Sequence, residues 1–246
     1  MLSISKLFIW FMLYSFIGWV YESIFCSICE KKLVNRGFLN GPYCPIYGAG
    51  AILVIAVLGK ITNPVLLFFL SMLLTGVVEY FTSWVMERIF NARWWDYSDW
   101  KFNINGRVCA LGLLAFGTMS LLLKFIIHPF VLKLTERLPN VLIYILSSIL
   151  LITFFIDIIL TVIGLKGFNK KLKEFNEYLN NTITQSFGGA VNQVLDSGAY
   201  QQLKSVFGAL KDKLNRQESR ILKSFPKFKS NSYNDIVEKL KNRKRK

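Results

Sequence analysis

Residues 64–89 read PVLLFFLSMLLTGVVEYFTSWVMERI. The stretch is long enough to cross a bilayer, whose core takes about 20 apolar residues at ~1.5 Å rise each. One carboxylate, Glu79, stands deep within it, and Gly76, Ser83 and Glu87 share its helical face. Inserting a central carboxylate costs ~2.5–3.5 kcal/mol, so such a residue turns away from lipid. The stretch therefore predicts a membrane helix packed on its small and polar face.

Four more apolar runs lie outward from it, at 6–28, 45–60, 108–127 and 140–164. The run at 45–60 is short, with Pro45 and Gly59 at its ends. The run at 6–28 has only Lys6 as an early charge and no small-x-small cleavage site after it, so it reads as a retained span rather than a signal peptide. With 53% hydrophobic residues and a mean hydropathy of +0.39, the chain predicts an all-α, polytopic membrane bundle. About five transmembrane helices fill 1–165, and a basic, amphipathic helical tail fills 166–246.

Charge predicts the orientation. With the N-terminus outside, the short inner connections hold Lys31, Lys32, Arg36, Arg88, Arg93, Lys101 and Arg107, against Lys6, Lys60, Lys124, Lys133 and Arg137 outside. The tail holds 18 of the 30 basic residues but counts little towards orientation, because long segments follow the positive-inside rule weakly. The expectation is a multi-pass protein of the cell membrane with a cytoplasmic C-terminus.

One string occurs twice: Asn40-Gly41-Pro-Tyr-Cys44 and Asn105-Gly106-Arg-Val-Cys109. Before each lies a helix with Gly and Glu (Gly18 and Glu22, then Gly76 and Glu79), and after each a helix with Gly48 or Gly112. This pattern predicts two parallel helical-hairpin repeats, about 6–60 and 64–127, followed by a fifth helix at 140–164. Asn-Gly suits a tight turn with positive φ, and the cysteine then starts a helix.

Glu22, Glu79 and Asp157 all lie within spans near the expected inner face, each on a small, polar stripe. One reading is a polar cavity, open to the cytoplasm, for a cation, a proton or a polar substrate. The other has these acids pair with Arg36, Arg93 or Arg107 and pin the loops. Both remain open at the level of sequence. Residues 92–107, ARWWDYSDWKFNINGR, mix rings with charges. Trp94, Trp95 and Tyr97 suit an interfacial anchor, while Arg93, Asp96 and Arg107 among them suit a gate or docking surface. No catalytic triad or metal set is visible.

The strings NRGFLNGPYCPIYG and ARWWDYSDWKFNINGRVC resemble the signature loops of the putative ABC-transporter type IV, or CmpB-like, family of bacterial membrane proteins, over about residues 8–130. By that resemblance the family-type positions are Gly18, Glu22, Arg36, Gly37, Phe38, Gly41, Pro42, Pro45, Gly48, Glu79, Trp94, Trp95, Asp96, Tyr97, Asn105 and Gly106. Asn40 belongs to the same loop motif. The resemblance implies a permease-like subunit. The chain has no G-x-x-x-x-G-K-[ST] string, so ATP hydrolysis would fall to a separate ATPase subunit.

From residue 166 the net charge is +11. Leu165, Phe168, Leu172, Phe175 and Leu179 step at helical spacing, and Leu203, Val206, Phe207, Leu210 and Leu214 form a second stripe. A basic tail beside a membrane favours anionic lipid, then a partner protein; nucleic acid is disfavoured, since the tail lacks clustered aromatic platforms. Cys26, Cys29, Cys44 and Cys109 are expected reduced, with one zinc site conceivable only if the repeats converge. His128, beside Pro129, is placed in an outer loop without a role. No cofactor is expected, and a homo-oligomer stays open. The alternative function is a non-transporting scaffold or regulator; an intramembrane enzyme is the weakest reading.

Overall fold

A computed structural model describes residues 4–168, 170–177 and 214–242. The membrane region is helical: α1 (Ile4–Glu30), α2 (Pro45–Leu58), α3 (Pro64–Phe90), α4 (Ala110–Leu122), α5 (His128–Glu136) and α6 (Asn140–Lys166). Among the described residues four helices are long and apolar enough to cross a membrane: α1, α3, the continuous Ala110–Glu136 helix, and the helix that begins at Asn140. The 14 residues of α2 reach only ~21 Å, short of a ~30 Å hydrocarbon core.

Local chemistry sets the boundaries. Pro64 sits in the first turn of α3, and the Asn63 side chain accepts from the Val65 and Leu66 amides, satisfying donors that lack a helical partner. Asn91 ends α3 in the left-handed region. Cys44 and Cys109 both stand at N-caps, of α2 and α4, and the Cys109 sulfur accepts from the Gly112 amide. The Asn-Gly pairs differ, however. Asn105 and Gly106 take φ of 53° and 67° and turn a hairpin between β2 (Asn103–Ile104) and β3 (Val108–Cys109). Gly41 is not among the positive-φ residues; its loop is held instead by hydrogen bonds from outside.

The helix after α4 does not stop near residue 127. It widens into a π-turn over Leu123–Ile127, with the His128 amide bonded to the Leu123 carbonyl, and runs on as α5. Pro129 accounts for the widening, because its ring lacks an N–H and would crowd a regular helical turn. His128 is thus a helix residue. Its Nδ1 lies 2.7 Å from the Tyr14 hydroxyl, while Trp10 Nε1 donates to Thr135 Oγ1 at 3.2 Å, joining α5 to α1.

Small residues bring the hairpins together. A Cβ on Gly48 would overlap the Ser15 hydroxyl and the Phe11 carbonyl, and one on Gly18 would overlap the Tyr47 ring, so α1 and α2 touch nearly backbone to backbone. Gly117 leaves room for the Phe68 ring and the Met72 side chain between α4 and α3.

The chain after α6 folds back onto the loop end of the bundle. Leu165, Phe168, Leu172 and Phe175 bury their stripe against Ile221, Phe225, Phe228, Ile236 and Val237, from α7 (Arg216–Ser224), the following turn and α8 (Asn234–Asn242). Leu179 and the stripe from Leu203 to Leu210 lie outside the described residues. Strand β4 (Lys229–Ser230) pairs antiparallel with β1 (Ala92–Arg93) of the aromatic loop. Trp94 is 3% exposed and meets Phe38, Phe90, Phe225 and Phe228 edge-on. An interfacial anchoring role therefore does not hold for Trp94: its ring fills a protein core that the tail supplies.

Candidate functional site

The loop end of α1 and the middle of α3 supply the two facing acids. Glu22 is held from both sides: Arg36 Nε donates to its Oε1 at 3.1 Å, and the Tyr47 hydroxyl donates to Oε2. Tyr47 lies one turn into α2, where the Cys44 cap and Pro45 aim it back at α1. Glu79 is 5% exposed. Its Oε1 accepts from the Tyr97 hydroxyl at 3.3 Å, while Oε2 is buried with no hydrogen-bond partner among the described residues. Glu22, Arg36, Tyr47, Glu79 and Tyr97 all line one cavity of about 200 Å³ at the loop end, together with Gly37, Phe38 and Trp95.

Electrostatics fix the protonation of the surrounding groups. Burial works against the charge on Arg36, but the Glu22 carboxylate outweighs it and raises the guanidinium pKa. Burial, then Glu79 and Glu22, push the Tyr97 hydroxyl well above its usual range, which keeps it a donor. Burial pushes the Cys44 thiol up to about 12, leaving it unreactive. Among the described residues no group of three or more His, Cys, Asp and Glu side chains could hold a metal ion.

Asp157 stands apart from this cavity. Its Oδ1 accepts from the Asn40 amide at 3.0 Å, the Asn40 side chain at 2.8 Å and Thr161 at 3.2 Å. Its Oδ2 accepts from the Gly41 amide at 2.8 Å and the Tyr43 hydroxyl at 2.6 Å. The carboxylate thus fastens the first loop, around Pro42, to α6. Arg93 and Arg107 do not reach Glu22 or Glu79 either: both engage Glu87, at 3.3 and 2.8 Å, and Arg93 also nears Asp96 at 3.8 Å. Gly106 packs against Asp96 and Ser98, and Asn105 donates to the Tyr80 hydroxyl at 3.0 Å.

The tail contributes contacts that the spacing of charges did not suggest. Arg36 Nη1 donates to the Ser224 carbonyl at 2.8 Å, and its guanidinium lies 4.4 Å from the Phe225 ring centre. Phe225 lines the cavity with Arg36. Arg220 donates to the Gly37 and Phe38 carbonyls, and Lys229 Nζ reaches Asp96 Oδ2 at 2.6 Å. Tyr47 is another site residue that sequence reasoning missed, and Glu87, visible there only as part of the Glu79 stripe, is the acid that Arg93 and Arg107 meet. Tyr47 carried a signal, standing three positions after a helix-starting cysteine and so facing back to the preceding helix.

The family model described as "Putative ABC-transporter type IV" matches residues 9–162, which take in the spans, both loops, and Glu22, Arg36, Glu79 and Tyr97. No curated protein and no solved structure matches the chain. The α7–β4–α8 segment, whose Phe225 lines the cavity, lies beyond the match. The chain is a multi-pass membrane protein and belongs to the Putative ABC-transporter type IV family.

Proposed function

We propose that the protein is a membrane transport component, a permease-like subunit whose loop-end cavity receives the substrate and whose ATP hydrolysis comes from a separate subunit. The observation that carries this reading is the approach of Glu22 and Glu79, from two different helical hairpins, to one cavity of about 200 Å³. Intramembrane acids facing a bundle interior mark ligand or ion pathways. In the orientation that the loop charges favour, the cavity faces the cytoplasm and the tail lies beneath it. Glu22 serves as the paired, structural acid and Glu79 as the acid left for the substrate. Gly37, Phe38, Trp95, Asp96 and Tyr97 form the gate, clamped by Arg220 and Lys229 of the tail. Lys170 and Lys173 keep their side chains largely exposed, at 81% and 64%, each 3.8 Å from a glutamate one turn on, Glu174 and Glu177, in loose surface pairs that anionic headgroups can compete for.

A second reading, a scaffold without transport, draws on the Arg36–Glu22 and Arg107–Glu87 pairs, which lock loops to helices. Reconstitution separates the two. With the co-purifying ATPase subunit added, ATP-dependent flux in proteoliposomes should fall on Glu79→Gln. Flux equal to that of the unmodified protein would remove Glu79 from the transport path, and the absence of both flux and a co-purifying ATPase would favour the scaffold.

A further inference from the structure

A second cavity, of about 290 Å³, lies directly behind the first: Tyr47, Glu79 and Phe116 line both. Its walls come from α1, α2, α3 and the Ala110–Glu136 helix and are otherwise mostly apolar. Ile17 and Leu122 belong to its lining and are also 38% and 46% exposed. Both stand near the middle of their spans, Ile4–Glu30 and Ala110–Glu136. The chamber therefore opens sideways, between α1 and α4, at the depth of the hydrocarbon. α1 packs on α2 and α6, and α4 packs on α3. The Tyr14–His128 and Trp10–Thr135 bonds tie α1 to α5 at the end away from the loops.

A side opening at hydrocarbon depth gives a route to molecules already dissolved in the bilayer. Where the chamber meets the first cavity stands Glu79, whose Oε2 is buried and, among the described residues, has no hydrogen-bond partner. Among the described residues no Lys or Arg pairs with Glu79, although Glu22, which lines the loop-end cavity with it, has Arg36. A buried carboxylate without a counter-charge is costly until a proton or a cation meets it. The Tyr47 and Phe116 rings, with centres 5.9 Å apart and edge to face, stand in the same lining. Aromatic faces beside a carboxylate suit an alkylated ammonium, whose diffuse charge needs no hydrogen bonds.

We propose that the ligand is an amphipathic ammonium that enters from the bilayer between α1 and α4, places its cationic head at Glu79 and keeps its apolar body in the chamber. This rests on the reading of the adjoining loop-end cavity as the transport site. Glu79 is then the residue that selects charge, and the α1–α4 opening selects against molecules that cannot partition into lipid.

The test is equilibrium binding of decyltrimethylammonium, below its micellar concentration, to the full chain in neutral detergent, with decyl sulfate and decanol as comparators. Saturable binding of the ammonium alone is expected, weakened about tenfold or more by Glu79→Gln. Equal binding of all three probes, or ammonium binding untouched by Glu79→Gln in a variant with an unchanged melting temperature, would overturn the proposal. Should Glu79→Gln fail to fold, Gly50→Leu fills the chamber instead, since a Cβ at Gly50 meets only Thr75 Cγ2 at 3.8 Å; loss of binding supports the site and full binding overturns it. With the chain in a bilayer, Ile17→Trp at the opening should slow association severalfold, and an unchanged rate would overturn lateral entry. Selective binding without flux in proteoliposomes would defeat the transport reading and leave this site standing. Flux of another solute with no ammonium binding would do the reverse.

Discussion

Lys229 Nζ stands 2.6 Å from Asp96 Oδ2, so the last strand of the tail is ion-paired to the loop beside the cavity. Burial alone would push the Asp96 carboxyl up. Lys229, the Ser98 hydroxyl and the Ser98 amide outweigh that and hold it at about 2, below its ordinary 3.8. A carboxyl with a depressed folded pKa adds stability above its unfolded value and loses it as pH falls through the folded one. The contribution should therefore be full above about pH 4 and fade towards pH 2. Thermal midpoints of the unmodified protein and Asp96→Asn should differ at pH 5 and converge as pH approaches 2. A gap that stays constant over that range would mean the clamp does not depend on the Asp96 charge.

Asp157 should behave as a fastener. Five donors converge on its two oxygens, so Asp157→Asn puts an amide N–H₂ where donors already point. The substitution should destabilise the fold by about 2–4 kcal/mol. Binding at Glu79, once corrected for the folded fraction, should stay within a factor of about two. A large loss of affinity in well-folded Asp157→Asn would restore Asp157 to the ligand path.

Two glycines of α2 should respond oppositely. Gly48 has the Ser15 hydroxyl and the Phe11 carbonyl where a side chain would go, and Phe11 cannot withdraw its backbone. Gly48→Val should cost about 1–3 kcal/mol by overpacking. Gly50→Ala meets only Thr75 at 3.8 Å and improves helix propensity by up to about 1 kcal/mol, so it should be neutral or stabilising. Thermal unfolding of both variants checks this; equal effects would mean that close α1–α2 approach does not set the packing.

The spans were legible because bilayer thickness fixes the length of an apolar run, and the run from Pro64 to Phe90 ends close to where hydropathy fails. The start of α4–α5 was legible and its end was not, because Pro129 reads as a stop, whereas a π-turn lets the helix pass. Glu22 and Glu79 could be picked out as acids on small-residue stripes. Their partners could not all be assigned from sequence, since loop charge gives the number of arginines but not the reach of each. Arg36 meets Glu22, while Arg93 and Arg107 direct their charge to Glu87, at the loop end of the Glu79 stripe. Asp157 looked equivalent to the other two acids by depth and stripe, yet five donors from its own helix and one loop enclose it. Trp94 looked interfacial because composition cannot tell a ring at a headgroup from a ring under a folded-back tail.

The Arg36–Glu22 pair offers the sharpest separation of structure from transport. Both side chains are largely sequestered, at 12% and 20% exposed, and Arg36 also secures the tail through the Ser224 carbonyl. Arg36→Met should cost about 3 kcal/mol, because Glu22 is left as a poorly solvated charge answered by the Tyr47 hydroxyl and, at 3.9 Å, the Cys26 thiol, with no counter-charge. Adding Glu22→Gln should recover part of that loss, since an amide in the same place needs no counter-ion. The recovered fraction in a double-mutant cycle measures the pair itself, and what remains measures the Ser224 anchor and the Phe225 stack. Proteolysis of residues 214–242 reads the anchor separately: it should accelerate in Arg36→Met and in the double variant alike, but little in Glu22→Gln alone. Equal acceleration in Glu22→Gln would mean that the acid, through Arg36, is what holds the tail over the cavity.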